Sequence, residues 1–235
     1  MTQIIYTPII EGNKSVFLYK SNFFEHDFVE KIKQFVLSKD YRDGHCVSGR
    51  EIPRKQLWFQ KENKYFCKSW KNRYDRWEAA SEYPEVLEQI ANKIKEDKTL
   101  SQTLLEHDIN LQSMDINSCL INKYRDGDDS IRAHRDTYLS FGKLPIIIGV
   151  SLGESRILRV RRLHNPEVFK SLKVQKSSDE NIDFLLEDNS LFVMAGYSQT
   201  YFSHEVPKMS TKNTRYSLTF REFIDSESNR DNGLE

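Results

Sequence analysis

The stretch NKYRDGDDSIRAHRD, residues 122–136, is the part of the chain around which the fold is organised. Within it, Asn122 and Tyr124 are two residues apart, and so are His134 and Asp136. Side chains alternate between the two faces of an extended strand, so the members of each pair project to the same side. This spacing predicts a site built on strands, with an amide and a phenol on one segment and an imidazole and a carboxylate on the next.

A second histidine, His204 within YFSHEVP, lies far downstream and follows a strongly apolar stretch. Two imidazoles and one carboxylate are the ligand set of non-haem iron(II) oxygenases, which leave positions on the metal open for a cosubstrate and oxygen. We therefore predict an iron site at His134, Asp136 and His204. An H-x-D triplet also arises by chance, and the alternative is a surface turn in which the histidine bonds to the aspartate.

Two arginines in TRYSLTFR, Arg215 and Arg221, are six residues apart, and this even spacing directs both guanidinium groups to one face of a strand. The cosubstrate implied by the metal site is 2-oxoglutarate, a dicarboxylate that chelates iron at one end. Its far carboxylate needs a fixed cation, and the planar fork of an arginine suits a carboxylate. We predict that Arg215 and Arg221 bind oxoglutarate, with hydrogen bonds from Asn122 and Tyr124. The alternative is that both arginines form surface ion pairs.

Composition limits the classes of partner. The 235 residues carry 35 lysines and arginines against 35 aspartates and glutamates, so any surface for nucleic acid must be a local patch. Cys46, Cys67 and Cys119 show no C-x-x-C spacing, which favours reduced intracellular thiols over a disulfide framework or a zinc site. We find no signal-peptide layout and no apolar run near the ~20 residues that span a bilayer, and we expect a soluble protein of the cytoplasm or nucleus.

The pattern of apolar residues changes along the chain. Helical spacing predicts amphipathic helices from His26 and from Tyr83, whereas residues 41–78 are less regular and 99–115 resemble a connection. The strand-rich second half contains NSCLINKY, LPIIIGVSLG, SRILRVRRL, SLFVMAG and RYSLTFREF. Two helices followed by many strands predict an α+β, mainly β fold in which helices pack on a jelly roll.

These motifs together resemble the AlkB family of iron(II)- and 2-oxoglutarate-dependent dioxygenases, which oxidatively dealkylate nucleic-acid bases. The resemblance runs from about Pro53 to Phe223 and covers PRKQ, N-x-Y, H-x-D, the late histidine before V-P, and RYSLTFR. It implies a double-stranded β-helix core, cupin-like, with N-terminal helices packed on it. A single domain over residues 1–224 is expected, with a nucleotide-recognition lid at 41–80, the core at 116–224 and a disordered tail at 225–235.

The resemblance also implies the reaction and its partners. With Fe(II), 2-oxoglutarate and O2, the enzyme is expected to demethylate N-alkylated bases in DNA or RNA as a monomer and to release formaldehyde. Ser217 stands where many relatives have asparagine, and Tyr138 replaces an acidic residue commonly found two positions past the metal aspartate. A phenol cannot favour a cationic methylated base by charge, so a protein or small-molecule substrate, or a reader without turnover, remain alternatives.

Candidate substrate contacts lie in two regions. In the lid, Tyr65 and Phe66 match the position of stacking residues in the relatives, and phosphate contacts are expected from Arg54, Lys55, Lys64, Lys68, Lys71 and Arg73. The tryptophans at 58, 70 and 77 fit either stacking or core packing. On SRILRVRRL, Arg156 resembles an arginine of the repair enzymes, and Arg159 and Arg161 share one strand face from which they could reach a flipped base. The alternative there is outward-facing surface charge.

Overall fold

The computed structural model describes residues 2–46, 48–72, 74–80, 82–164 and 177–224, with only the backbone for 177–180. The predicted tail and Arg73 lie outside the described residues. The strands are β1 (Gln3–Tyr6), β2 (Ile9–Ile10), β3 (Asn13–Lys20), β4 (Lys55–Gln60), β5 (Ser118–Tyr124), β6 (Ile131–His134), β7 (Ile147–Gly153), β8 (Arg156–Leu163), β9 (Ser177–Leu186), β10 (Ser190–Gly196), β11 (Phe202–Val206) and β12 (Arg215–Arg221).

The α-helices are α1 (His26–Leu37), α2 (Glu85–Glu96), α3 (Lys98–Leu105), α4 (Tyr138–Phe141) and α5 (Ser198–Tyr201). Short 3-10 turns span Lys68–Trp70, Asp75–Trp77 and Leu111–Ser113. Within the described part of the chain, no helix combines the length and the apolar character needed to cross a bilayer.

The strands form two antiparallel sheets. The major sheet has the order β1-β3-β10-β7-β12-β5-β4, with β2 paired to β3, and the minor sheet has the order β6-β11-β8-β9. A shared apolar cluster joins the inner faces of the two sheets, and a second cluster joins the major sheet to α1, α2 and α3. This arrangement is the predicted double-stranded β-helix with helices packed on one side, and the fold prediction is confirmed.

Strands of the major sheet are apolar on both faces because both faces are covered. In β3, Val16 and Leu18 join the cluster under the helices, whereas Phe17 and Tyr19 join the cluster between the sheets. Such a strand has a continuous apolar run rather than an alternating one. The same rule makes β7 and β10 recognisable from the sequence alone.

Two segments that the sequence analysis treated as irregular are regular. Residues 55–60 of the expected lid form β4, which is the edge strand of the major sheet next to β5. Its polar residues, Lys55, Gln56 and Gln60, obscured the strand pattern, although both glutamines are buried. Part of the expected connection at 99–115 forms α3, whose two buried leucines, Leu100 and Leu104, give too short a repeat to recognise. Strands β9 and β11 were also not predicted, and the extended segment expected for His134 and Asp136 ends as a strand at His134.

Candidate functional site

The minor sheet brings the three predicted metal ligands together. His134 ends β6 and lies directly across from His204 of β11, with 4.3 Å between the ring centroids. Asp136 follows β6, and its Oδ1 atom lies 3.8 Å from the Nε2 atom of each imidazole. All three ligand atoms lie within 4.8 Å of one another, a spacing that allows them to surround one cation.

Both imidazoles are held in the neutral form that a metal ligand requires. Burial, followed by the nearby His134, lowers the pKa of His204 to about 3. Burial also lowers the pKa of His134. The Nδ1 atom of His134 lies 2.8 Å from the carbonyl oxygen of Arg132, so Nδ1–H donates there and the Nε2 lone pair faces the other two ligands.

Two neighbours hold Asp136, one through its carboxylate and the other through its backbone. Arg221 donates through Nε to Oδ2, on the far side of the carboxylate from the imidazoles. The backbone N–H of Asp136 donates to Oε1 of Gln199, at 2.9 Å. Although burial alone would raise the pKa of Asp136, the charge and the hydrogen bond of Arg221 outweigh it and lower this pKa. Arg221 thus holds a metal ligand, and its predicted contact with oxoglutarate stays a prediction. The sequence carries no signal for Gln199.

Arg215 lies at the floor of the same site with most of its hydrogen-bonding capacity unused. The residue is 2% exposed, and its Nη2 donates to Oγ of Ser151 at 2.8 Å. Its Nε and Nη1 atoms are buried and have no partner among the described residues. Burial lowers the pKa of Arg215 to about 10. Two unused donors on one planar, buried guanidinium fit a carboxylate, so the residues present suit a dicarboxylate such as 2-oxoglutarate.

Strand β5 supplies the amide and the phenol beside Arg215. In the pairing of β5 with β12, Tyr124 lies opposite Arg215, and the guanidinium carbon is 5.3 Å from the centre of its ring. Oδ1 of Asn122 accepts from Nε of Arg54 and from Nε2 of Gln56, both at 3.0 Å. Because this oxygen is fully engaged, the amide nitrogen of Asn122 is the atom left to donate into the site.

These groups open into one pocket of about 900 Å³ between the two sheets. The side chains at alternate positions of β12, from Arg215 to Arg221, line it, as the even spacing predicted. Its wall is largely apolar and includes Ile147, Leu158, Phe192, Met194 and Val206. A metal-ligand set and an unused guanidinium therefore face a common space that is large enough for a cosubstrate and part of a substrate.

Comparison with protein families gives a match of residues 17–221 to the sequence model described as the 2OG-Fe(II) oxygenase superfamily. The chain belongs to this superfamily. Its enzyme class, an iron(II)- and 2-oxoglutarate-dependent dioxygenase, and its cofactors, Fe(II), 2-oxoglutarate and O2, are thereby confirmed at the level of the family.

Among curated proteins, this oxygenase is 34% identical to alpha-ketoglutarate-dependent dioxygenase alkB homolog 3 of Homo sapiens over 110 residues, which is 45% of the chain and 36% of the relative. It is 33% identical to DNA oxidative demethylase ALKBH2 of Arabidopsis thaliana over 116 residues, 45% of the chain and 37% of the relative. The matches span little more than a third of the length of these relatives. The resemblance to the AlkB family is confirmed.

Among solved structures, the oxygenase matches OsALKBH1 with a TM-score of 0.56 and 17% identity, over 87% of this chain and 97% of that one. It matches a Pseudomonas putida prolyl-4-hydroxylase with a TM-score of 0.53 and 15% identity, over 89% and 92% of the two chains. At these identities the likeness concerns the fold.

The aromatic residues of the expected lid pack mainly against one another. Phe66 is 7% exposed, and its ring stacks on that of Trp77 with 4.4 Å between centroids. Phe66, Trp70 and Trp77 line the pocket, whereas Trp58 is fully buried. Tyr65 is half-buried and lies outside the described lining of the pocket. Residues 66, 70 and 77 therefore give the pocket an aromatic wall, to which residue 65 contributes less. The stacking of a base on this wall stays a prediction.

Several predicted cationic contacts have other partners. Arg54 is bonded to Asn122 and to the carbonyl of Ser130, so it supports the oxoglutarate site rather than an external phosphate. Lys55 pairs with Asp43 at 3.2 Å, and Lys64 pairs with Glu62 at 2.7 Å. Lys68 and Lys71 are exposed.

The predicted reach of the β8 arginines toward a base is wrong. Arg156 is 1% exposed and donates to three backbone carbonyls, those of residues 126, 129 and 207. Arg159 bonds Asp183 through two contacts of 2.7 Å, and Arg161 bonds Glu205 at 2.6 Å. Alternation along β8 directs Leu158 and Val160 inward, so Arg159 and Arg161 lie on the outer face of the minor sheet.

Tyr138 is the first residue of α4 and is 38% exposed. Its neighbour Thr137 lines the pocket, whereas Tyr138 is not among the described lining residues. Its contact with a substrate base remains a prediction.

Proposed function

We propose that this oxygenase removes N-alkyl groups from bases of DNA or RNA. The observation that supports it best is the shared pocket, in which three metal-ligand atoms and the unused nitrogens of Arg215 face one space. Aromatic rings and cationic side chains at the mouth of that pocket suit a base and its flanking phosphates. Relatives named for DNA oxidative demethylation and for the alkB dioxygenases support the same substrate class.

In the proposed reaction, every atom of the reactants is accounted for in the products. An N-methyl base, oxygen and 2-oxoglutarate give the N-hydroxymethyl base, succinate and carbon dioxide. The N-hydroxymethyl group then loses formaldehyde, its hydroxyl proton returns to the ring nitrogen, and the unmodified base results. Oxygen is the oxidant of the first step, and iron(II), bound with the keto-acid, would activate it.

In this proposal, the chain's own residues position and protect the reactants. His134, Asp136 and His204 would hold the metal. Arg215 receives the far carboxylate of oxoglutarate, and the amide nitrogen of Asn122 donates to the same molecule. Arg221 keeps the carboxylate of Asp136 ionised and oriented. The apolar wall excludes water from the reaction space.

The target base must leave its stack to enter this pocket. Extrusion costs a few kcal/mol, less for a damaged or single-stranded base, and stacking on an aromatic ring returns ~1–3 kcal/mol. Phe66, Trp70 and Trp77 line the pocket and offer such rings. Residues 41–80 serve in this proposal as the recognition element, with β4 as its anchor in the sheet.

The proposed setting is a monomer in the cytoplasm or nucleus, where nucleic acid is found. The three cysteines are unpaired, with Cys67 and Cys119 buried, which suits a reducing compartment.

A panel of methylated oligonucleotides tests the function. Each is incubated with protein, Fe(II), ascorbate and 2-oxoglutarate, and the loss of a methyl group is followed by mass spectrometry together with formaldehyde. We expect demethylation by the wild type and none by His134→Ala, with Arg162→Gln, a change at an exposed arginine of the minor sheet, as the matched control. Succinate formation without demethylation of any oligonucleotide would reject a nucleic-acid substrate and favour a protein or small molecule.

A further inference from the structure

The charges that line the pocket are strongly unequal. Among its described lining residues, Asp136 is paired with Arg221, and Arg215 is assigned to the dicarboxylate. Iron(II) and oxoglutarate would carry equal and opposite charges, so the charge of Arg215 adds to the positive side of the balance. What remains is one acidic residue, Glu51, against six basic ones, namely Arg50, Arg54, Arg76, Arg132, Arg135 and Lys208.

The acidic side chains near this space are already engaged. Glu51 is a rim residue with 57% of its side chain exposed, and it lies 3.5 Å from Arg125. Lys208 has an exposed acidic partner, Asp128, at 3.2 Å. Arg54 and Arg76 are close enough for the charge of Arg54 to lower the pKa of Arg76, after burial as the main cause. Apart from Glu51 and Asp136, the described lining residues include no carboxylate, so a cationic ligand would meet mainly repulsion.

The aromatic wall is also occupied by a resident cation. The guanidinium carbon of Arg76 lies 4.7 Å from the ring centres of both Tyr74 and Trp77. A cation over a ring face is the interaction by which an aromatic wall attracts a cationic base. Here Arg76 already makes this interaction with Tyr74 and Trp77. The absence of a side chain at Gly44 gives Arg76 the space for this position, because a Cβ atom there would lie 2.5 Å from Cδ of Arg76.

The unused hydrogen-bonding atoms of this wall are mostly donors. Nε of Arg76 and Nε1 of Trp77 are buried without a partner among the described residues. Oε1 of Gln56 is a buried acceptor that also has no partner among the described residues. Two donors against one acceptor suit a base edge that carries carbonyl oxygens better than one that carries an amino group.

We infer that the pocket favours an uncharged alkylated base with carbonyl oxygens over a cationic alkylated base of the same size. The inference rests on the proposed function and specifies its substrate. N3-methyluracil and N3-methylcytosine make a matched pair, since they differ only in an oxygen or an amino group at C4, and the cytosine derivative is cationic at neutral pH.

The first test compares kcat/KM for these two lesions in otherwise identical single-stranded oligonucleotides at one salt concentration. We expect N3-methyluracil to be favoured by about tenfold or more. Equal rates, or a preference for N3-methylcytosine, overturn the inference while leaving the demethylase function intact.

A binding experiment judges the inference even if neither lesion is turned over, a result that would reject the proposed function. Protein loaded with Mn(II) and 2-oxoglutarate is titrated with the two oligonucleotides, and tryptophan fluorescence reports binding. Tighter binding of the N3-methyluracil oligonucleotide supports the inference, and equal or weaker binding overturns it.

Variants at Arg76 separate this charge effect from general binding. In Arg76→Gln, the preference for the neutral lesion should fall about fivefold, the effect of one unit charge about 8 Å away in a partly hydrated pocket. Gly44→Ala, which displaces the same side chain, should shift the preference in the same direction. Arg162→Gln removes an equal charge outside the pocket and should leave the preference unchanged. An unchanged preference in both Arg76→Gln and Gly44→Ala counts against the inference.

Discussion

Replacing Arg215 by methionine should affect cofactor binding and protein stability in opposite directions. Methionine keeps much of the volume of the side chain but removes the charge and the unused donors that face the pocket. The two effects have different physical origins, so they can be estimated and measured separately.

The loss of oxoglutarate binding follows from a buried ion pair. Removing one partner of a buried, hydrogen-bonded charge pair costs ~2–5 kcal/mol. A mid-range value of ~3 kcal/mol corresponds to a rise of roughly 150-fold in the dissociation constant of 2-oxoglutarate.

The gain in stability of the free protein follows from the buried cation. Burial lowers the pKa of Arg215 from 12.5 to about 10, so the folded state disfavours the protonated form by ~3 kcal/mol. This penalty is complete below pH 10 and fades as the pH rises toward 12.5. The variant loses the bond to Ser151, worth ~1 kcal/mol, which leaves a net gain of ~2 kcal/mol. For a domain of this size the melting temperature should rise by roughly 4–8 °C.

Differential scanning calorimetry with Mn(II), at pH 7, with and without 2-oxoglutarate, measures both effects. We expect Arg215→Met to melt at a higher temperature than the wild type without the keto-acid and to gain almost nothing when it is added. Arg162→Met, at an exposed position, should follow the wild type in both conditions. A lower melting temperature of the free variant, or a wild-type response to oxoglutarate, would refute the reasoning.

Three further predictions concern groups that hold the site and its surroundings. Arg221→Gln should weaken Fe(II) or Mn(II) binding by roughly 10–100-fold, because Asp136 loses its orienting partner, and unchanged affinity by metal titration would contradict that role. Arg156→Met should lower the free energy of unfolding in urea by ~3 kcal/mol, in contrast to Arg215→Met, because three buried or partly buried carbonyls lose charged donors. The bonds from Arg125 outweigh burial and hold the pKa of Asp129 below the ordinary 3.8, so its stabilisation is complete above that pH and is lost as the pH falls through the folded-state pKa. In Asp129→Asn, the free energy of unfolding should therefore fall less steeply as the pH is lowered. An unchanged fall would argue against the role of the Arg125–Asp129 pair.

The sequence by itself determined the local geometry of the site. Even spacing placed His134 with Asp136 and Arg215 with Arg221 on common faces, and the structure has both pairs on the pocket side. Apolar runs identified the strands that are covered on both faces. These are short-range properties, since the period of two along a strand fixes which side chains share a face regardless of what lies opposite.

The tertiary structure decided which partner each of those side chains meets. Arg221 contacts the metal ligand Asp136, and Arg156 donates to three backbone carbonyls. Arg54, the residue before β4, reaches Asn122 of β5 only because β4 and β5 pair across more than sixty residues of chain. A repeat along one strand carries no information about the strand across from it, because that pairing is set by contacts between distant segments.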